Sequence, residues 1–165
     1  RARLGLGYLP QETTIFKGLS VQDNFMAIYE ALGVKRSARV EVEALLTQFN
    51  LGLVRHNKGS QLSGGERRRV EMARTLISNP SVVLLDEPFA GVDPIAVNEI
   101  RGFVKAMRTK EIGVLITDHN VRETLRICDR AYIISEGSIL LSGSPEEIVA
   151  DPRARETYLG EEFSL

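Results

Sequence analysis

The chain has 165 residues, of which 43% are hydrophobic, so it is long and apolar enough to form one domain with a sizeable core. Its 21 basic and 22 acidic side chains nearly cancel, which argues against attraction of the whole chain to nucleic acid or to an anionic membrane. Cys128 is the only cysteine, which excludes a disulfide within the chain, and no apolar run reaches the roughly 20 residues that a membrane span needs.

The first apolar segment, LGLGYLP at residues 4–10, predicts a short buried strand that ends at Pro10. Because the chain enters this strand almost at once and without a starting methionine, we expect a fragment of a longer protein. Gln11 follows the strand directly, and its uncharged amide could meet a metal ion or a water molecule at that edge of a sheet.

Residues 12–78 have helical rather than strand periodicity. Ser20 and Asp23 predict the start of a first helix, and a second helix follows. Their apolar residues recur at the i, i+3, i+4, i+7 spacing: Phe25, Ile28, Tyr29 and Leu32 in the first, and Val42, Leu45, Leu46 and Phe49 in the second. We therefore predict a small helical unit.

Ser63, Gly64, Gly65 and Glu66 have the S-x-x-E spacing of a capping box, which predicts that Ser63 begins a third helix. The two glycines also leave backbone N–H groups open at the start of that helix, where an anion such as phosphate can bind. Both interpretations can hold, because caps and anion sites use the same unpaired donors.

Three consecutive arginines, Arg67, Arg68 and Arg69, resemble a nucleic-acid patch. Two acidic residues interrupt this charge, and one of them, Glu71, stands four residues after Arg67. We therefore expect a solvated helix face with ion pairs.

Beyond Pro80 the pattern changes to continuous aliphatic runs at residues 81–86, 112–117 and 130–135. Such runs are typical of strands buried on both faces of a parallel sheet. Between them we predict one helix that starts at Asp93-Pro94 and a second at residues 121–128. The first of these helices has an apolar face of Ile100, Phe103, Val104 and Met107.

Residues 138–143 look like a hairpin partner of the last strand, and two short helices should begin near Pro145 and Pro152. The alternation of strands and helices predicts an α/β fold with a mostly parallel sheet.

Polar residues follow two of the predicted strands. Asp86 and Glu87 end the run at 81–86, and His119 comes just after the run at 112–117. Ligands of α/β proteins bind at the carboxyl ends of parallel strands, so Asp86 could hold Mg²⁺ while Glu87 activates a water molecule. The alternative is that these residues merely end strands and cap turns.

The motifs LPQ, LSGGE, LLDEP, GVD and ITDH occur in this order, and in this order they resemble the nucleotide-binding domain of ABC ATPases over essentially the whole chain. The resemblance implies a P-loop NTPase fold of the RecA-like type with an inserted helical subdomain. Residues 1–11 would be a core strand and the Q-loop, 12–78 the subdomain that carries the signature motif, and 79–165 the rest of the core.

The same resemblance implies ATP and Mg²⁺ as ligands and a role for each motif residue. Gln11 would be the Q-loop glutamine, Asp86 the Walker B aspartate, Glu87 the catalytic base, Asp93 the D-loop residue and His119 the switch histidine. The residues that close over the nucleotide of a second subunit would be Ser63, Gly64, Gly65 and Glu66.

The resemblance also has one gap. The P-loop pattern G-x-x-x-x-G-K-[ST] is absent, and no lysine of the chain directly follows a glycine. Without that loop the chain lacks the cradle for the α- and β-phosphates, so we expect the fragment to be inactive alone.

Longer stretches, including GYLPQETTIFKGLSVQDN at 7–24 and DEPFAGVDP at 86–94, closely resemble the ATPases of bacterial lipopolysaccharide exporters. This implies a homodimer at the cytoplasmic face of the inner membrane, bound to integral membrane subunits through a groove after the Q-loop. Ile15, Phe16 and Lys17 are the candidate contacts, although packing within the subdomain is an equal alternative for Ile15 and Phe16.

Three other assignments stay open. They are an ATPase of branched-chain amino-acid importers, a soluble ABC protein that acts on nucleic acid or the ribosome, and a non-catalytic regulator that has lost its P-loop. We favour the transporter interpretation and expect no nucleic-acid partner, because neither a long coiled-coil insertion nor a tandem domain is present in the sequence.

Overall fold

A computed structural model describes residues 4–34, 37–160 and 163, so the first three residues of the predicted core segment 1–11 lie outside the described part. The chain divides into two compact units. One unit runs up to Pro88 and resumes at Asp93–Thr117, and the other consists of Phe89–Val92 and the residues from Asp118 onward. Among the described residues, no helix combines the length and the apolar character needed to cross a membrane.

The first unit contains a parallel sheet of three strands, which confirms the predicted α/β class. The strands are β1 (Leu6–Leu9), β2 (Val82–Asp86) and β3 (Gly113–Thr117), and β2 lies between the other two. Asp86 is paired in register with Thr117. The carboxyl ends of all three strands therefore reach the same edge of the sheet.

The described residues of this unit form four long helices, and their order agrees with the sequence prediction: α1 (Val21–Ala31), α2 (Ala38–Gln48), α3 (Gly64–Leu76) and α4 (Pro94–Thr109). Ser20 caps α1 by accepting the backbone N–H of Asp23 at 3.0 Å. The predicted apolar faces of α2 and α4 are buried. Two short 3-10 turns, Gly52–Val54 and Gly59–Gln61, join α2 to α3.

Helix α3 lies directly against β1 at Gly7. A Cβ atom on Gly7 would come within 3.0 Å of Thr75 Cγ2 and 3.2 Å of the Thr75 carbonyl oxygen. Real side chains rarely tolerate such distances, so the missing side chain of glycine is what lets helix and strand approach so closely.

The second unit holds a hairpin and short helices. Its elements are α5 (Val121–Leu125), β4 (Ala131–Ser135), β5 (Ser138–Gly143), α6 (Pro145–Ala150) and α7 (Pro152–Ala154), followed by a π-helical turn at Arg155–Leu159. Leu125, Ile133, Ile148 and Ala154 form its buried core. The hairpin and the two helices that begin at Pro145 and Pro152 confirm those predictions.

Burial on both faces is wrong for residues 112–117, where Leu115 is 53% exposed. The prediction that residues 130–135 form a parallel strand buried on both faces is also wrong. Strand β4 pairs antiparallel with β5, and Tyr132 and Ile134 on it are 53% and 67% exposed. The reason is the two-residue turn at Glu136 and Gly137, both of which have positive φ, because such turns return the chain alongside itself. An aliphatic run alone does not distinguish the two pairings.

Candidate functional site

Asp86 ends β2, and hydroxyl groups from both neighbouring strands hold its carboxylate. Tyr8 on β1 donates to Oδ2 at 3.0 Å, and Thr117 on β3 donates to Oδ1 at 2.8 Å. The hydrogen bond to the carboxylate raises the pKa of the Tyr8 phenol, because it favours the protonated form. Each carboxylate oxygen thus has a fixed partner.

Glu87 directly follows β2 and has an unusual backbone. Its φ is 44°, in the left-handed region that residues other than glycine rarely adopt. Its backbone N–H donates to the carbonyl oxygen of Thr117 at 2.7 Å, and its Oε2 accepts from Nε2 of Gln11 at 2.8 Å. The structure therefore brings Gln11 and Glu87 together, although they are 76 positions apart.

The side chains at this edge fit a magnesium ion that is bound mostly by its substrate. Among the described residues, no three His, Cys, Asp or Glu side chains are placed to hold a metal. Magnesium commonly takes only one or two carboxylates from the protein and completes its shell with water and phosphate oxygens. Asp86 supplies one such carboxylate at the end of β2.

The predicted capping box at the start of α3 is confirmed. The hydroxyl of Ser63 accepts the backbone N–H of Glu66 at 3.3 Å, and Oε2 of Glu66 accepts the backbone N–H of Ser63 at 2.8 Å. The Ser63 hydroxyl also donates to Oε2 of Glu66 at 2.7 Å, and this bond, together with the one from the Ser63 backbone N–H, lowers the pKa of Glu66. A Cβ atom on Gly64 would meet no atom within 4 Å, so a ligand can approach this backbone closely.

The arginines of α3 do not form a solvated face, which corrects the sequence prediction. Arg67, Arg68 and Arg69 are all half-buried. Glu71 is only 4% exposed, and its carboxylate lies 3.7 Å from Arg68. The predicted partner was Arg67, which stands one position further away in the sequence. Arg69 pairs with Glu99 of α4 at 2.5 Å. The pattern of charges did not predict this burial, because other parts of the chain cover α3 on most of its sides.

The segment after Gln11 contains the three candidate partner contacts. Ile15 is only 5% exposed, whereas Phe16 is 45% exposed and Lys17 is also exposed. The burial of Ile15 agrees with the alternative that this side chain packs within the subdomain. Of the three candidates, Phe16 and Lys17 have exposed side chains.

Asp93 caps α4 by accepting the backbone N–H groups of Ile95 at 2.8 Å and Ala96 at 3.0 Å. Any ligand role of Asp93 would come in addition to this structural one.

In the second unit, the side chain of His119 is 69% exposed, and its Nδ1 lies 3.9 Å from Oδ1 of Asp118. The Asp118 side chain is completely buried. It accepts the backbone N–H groups of Phe89 at 2.8 Å and Asn120 at 2.7 Å. Asp118 therefore holds the backbone directly after the candidate histidine and ties it to the segment at Phe89.

Sequence reasoning missed Tyr8, Thr117 and Asp118. Strand register was the signal for the first two, because residues near the ends of neighbouring parallel strands can reach a carboxylate on the central strand. Asp118 stands beside His119 in the motif, but nothing in its sequence context marks it as buried.

Comparisons with known proteins identify the family. A family model described as "ABC transporter" matches residues 1–90, and one described as "Branched-chain amino acid ATP-binding cassette transporter" matches residues 138–164. A probable ABC transporter ATP-binding protein of Azorhizobium caulinodans is 59% identical over the whole chain, which spans 59% of that protein. The lipopolysaccharide export system ATP-binding proteins LptB of Acidithiobacillus ferridurans and Escherichia coli are 55% and 52% identical, and the chain spans 69% of each.

Solved structures agree with this result. The chain resembles CbiO1 of Clostridium perfringens, part of the ABC transporter complex CbiONQ, with a TM-score of 0.79 and 28% identity over 92% of this chain and 61% of that one. It also resembles the ADP conformation of an ATP-binding cassette of an ABC transporter, with a TM-score of 0.80 and 27% identity over 97% of this chain and 70% of that one. The fold is that of an ABC nucleotide-binding domain, and the chain belongs to the family of ABC transporter ATP-binding proteins.

Proposed function

We propose that the protein containing this chain hydrolyses ATP to power a transporter. The observation that carries the proposal is the pair of neighbouring carboxylates at the end of β2. Asp86 is held by two hydroxyl groups, and Glu87 is held by Gln11. Two adjacent acids with different partners suit two different tasks in phosphoryl transfer, namely support of the metal and activation of water.

In this mechanism Glu87 accepts a hydrogen bond from the attacking water and polarises it. Gln11, through its bond to Glu87, keeps the base in place. Asp86 and Gln11 would hold Mg²⁺, which neutralises charge on the phosphates. His119 contacts the γ-phosphate. The proposed domain division is a core strand and Q-loop at 1–11, a helical subdomain at 12–78 and the remaining core at 79–165.

We further propose that the active unit is a homodimer. Ser63, Gly64, Gly65 and Glu66 of one subunit close over the nucleotide of the other, and Asp93 lies at the dimer contact. The open backbone at Gly64 supports this role. The residues that bind the α- and β-phosphates are proposed to belong to a part of the protein outside these 165 residues, because the relatives are longer than the chain.

For the transported substrate we favour lipopolysaccharide, because LptB proteins of several bacteria are 50–55% identical to the chain. The ATPase would then sit at the cytoplasmic face of the inner membrane, held there by integral membrane subunits. Branched-chain amino acids are the second candidate, and the family model that matches residues 138–164 supports them. Restored growth of cells depleted of their own exporter ATPase, compared with restored amino-acid uptake, separates the two.

A role on nucleic acid has less support, because Arg68 and Arg69 make ion pairs within the chain and Arg67 donates to the carbonyl oxygen of Leu62. Salt-sensitive binding of nucleic acid by the complete protein would favour that role instead.

The test of ATP hydrolysis is Glu87→Gln in the complete protein. Loss of a positioned base lowers turnover by about 10²–10⁴-fold, and we expect an ATP-bound dimer to accumulate in gel filtration. Glu136→Gln is the matched control, because Glu136 also has positive φ at 51° but lies in the hairpin turn. Normal turnover by the Glu87→Gln protein would refute the assignment.

A further inference from the structure

Both backbone polar groups of Thr14 bind side chains of α3. The N–H of Thr14 donates to Oε1 of Glu71 at 2.8 Å. The carbonyl oxygen of Thr14 accepts from a terminal nitrogen of Arg74 at 2.7 Å. Glu71 and Arg74, almost one turn apart on α3, thus hold Thr14 in the segment that follows Gln11.

Glu71 is placed where a carboxylate is costly. It is 4% exposed, and its Oε2 lies 3.7 Å from Arg68, whose side chain is 13% exposed. A buried charge is tolerated only when it is paired and hydrogen-bonded. The backbone N–H of Thr14 and the guanidinium of Arg68 supply those partners, so the position of Thr14 and the burial of Glu71 depend on each other.

The same arrangement extends to Phe16. The guanidinium carbon of Arg74 lies 4.7 Å from the centroid of the Phe16 ring, within the range of a cation–π contact. Asn24 of α1, which is fully buried, accepts the N–H of Phe16 at 2.9 Å and donates to its carbonyl oxygen at 3.1 Å. The half-exposed ring of Phe16 is therefore fixed from α1 and α3 together.

Surface segments without regular structure usually satisfy their backbone groups with water. Here charged groups of α3 and a buried amide of α1 take that place. Hydrogen bonds to charged groups are stronger than neutral ones, so this segment is held more firmly to the helices than its irregular backbone would suggest.

We propose that Glu71 and Arg74 are positioning residues that fix Thr14 and so present Phe16 and Lys17 to the membrane subunit. This inference rests on the proposed transport function. Helix α3 begins at the capping box of Ser63, about 15 Å along the axis from Arg74 at a rise of ~1.5 Å per residue. One rigid helix thus joins the proposed partner contact to the residues that close over ATP.

The direct test is amide hydrogen exchange in the complete protein, read from peptides that cover residues 12–16. Glu71→Ala and Arg74→Met should each speed exchange there by at least about tenfold, because a hydrogen bond to a charged group is lost. Glu71→Gln keeps an acceptor oxygen and Arg74→Lys keeps a donor, so both should restore most of the protection. Exchange in β2 reports whether a variant has lost its fold. If the Glu71→Ala protein has lost its fold, the exchange measured in the Arg74→Met protein tests the inference alone.

Arg130→Met is the matched control. Arg130 also combines a ring contact, 5.6 Å from the Tyr132 centroid, with a hydrogen bond to the Ser142 hydroxyl, but it lies in the second unit. The Arg130→Met substitution should leave amide exchange at residues 12–16 unchanged.

The second measurement is the yield of integral membrane subunits that co-purify with each variant. Arg74→Met should lower this yield at least about fivefold, equivalent to roughly 1 kcal/mol of binding free energy, and Arg130→Met should not. Unchanged exchange in folded Glu71→Ala and Arg74→Met proteins, or full co-purification despite faster exchange, would overturn the inference. If the unmodified protein itself hydrolyses no ATP, the proposed function fails, while the exchange data still show whether α3 holds Thr14.

Discussion

The phenolic oxygen of Tyr8 lies 3.0 Å from Oδ2 of Asp86, across the junction between two parallel strands. Thr117 binds the other carboxylate oxygen from the opposite side. The sheet itself therefore orients the proposed magnesium ligand, before any nucleotide is bound. Preorganised groups of this kind cost no rearrangement during the reaction.

Removing the Tyr8 hydroxyl should weaken metal use by the complete protein. In Tyr8→Phe the Asp86 carboxylate keeps only one of its two hydroxyl partners. Because one hydrogen bond is lost, we expect the half-saturating Mg²⁺ concentration for ATP turnover to rise about three- to tenfold. Direct Mn²⁺ binding in the presence of nucleotide, measured by electron paramagnetic resonance, provides a readout that does not depend on turnover.

Tyr132→Phe is the control for this experiment, because Tyr132 also makes a hydroxyl hydrogen bond, with Arg130 at 3.1 Å, but in the other unit. Equal metal affinity in Tyr8→Phe and the unmodified protein would show that Thr117 alone orients Asp86.

Two serines of the chain cap helices in the same way but differ in predicted function. Ser63 and Ser144 both form capping boxes, with Glu66 and Glu147 as their partners. Substitution of either serine by alanine should lower the free energy of unfolding by about 0.5–2 kcal/mol. Only Ser63→Ala should also weaken ATP-dependent dimerisation, measured by analytical ultracentrifugation of the complete protein. A similar loss of dimer in Ser144→Ala would mean that dimerisation reports stability alone.

Gly7 should tolerate no side chain. In Gly7→Ala the new Cβ would lie 3.0 Å from Thr75 Cγ2 and 3.2 Å from Val83 Cγ2, and overpacking of this kind costs about 1–3 kcal/mol. Gly102 lies within α4, and a Cβ atom added there would meet no atom within 4 Å, so Gly102→Ala should instead stabilise by roughly 0.5–1 kcal/mol. Chemical denaturation distinguishes these opposite signs, and a neutral Gly7→Ala would contradict the close helix–strand approach.

The capping box of α3 should also respond to acid. Hydrogen bonds from Ser63 lower the pKa of Glu66 below its usual 4.5, so the charged form contributes stability that is present above pH 4.5. This contribution is lost as the pH falls through the lowered pKa of the folded state. Glu66→Gln should therefore show a smaller loss of unfolding free energy over the same acid range, measured by urea denaturation. Parallel curves for both proteins would count against the effect.

Much of this fold could be predicted from local sequence. The helix caps at Ser20, Ser63 and Asp93 are local signals, since each acts within three residues, and the structure confirms all three. Parallel pairing of β2 with β3 also followed from aliphatic runs separated by a helix. The same reasoning wrongly made residues 130–135 a parallel strand, although their hairpin partner at 138–143 was predicted. The pairing of β4 depends on the turn at Glu136, where a non-glycine residue adopts positive φ.

The parts of the site that sequence did not reveal are long-range. The pairs Tyr8–Asp86 and Thr14–Glu71 join residues that are 78 and 57 positions apart. Motif resemblance places Gln11 and Glu87 in one site. The motif resemblance did not predict that Glu71 is buried, because a glutamate among arginines gives the same sequence pattern on an exposed helix and on a covered one.

The left-handed backbone at Glu87 sets stability against activity. A residue other than glycine at φ 44° carries a conformational cost of about 1 kcal/mol or more, which persists only where the surrounding structure enforces it. Glycine at this position would relieve that cost but remove the base. Glu87→Gly should therefore give a protein that withstands more denaturant than the natural one and turns over no ATP. The proposed base thus occupies a position where stability alone would favour glycine.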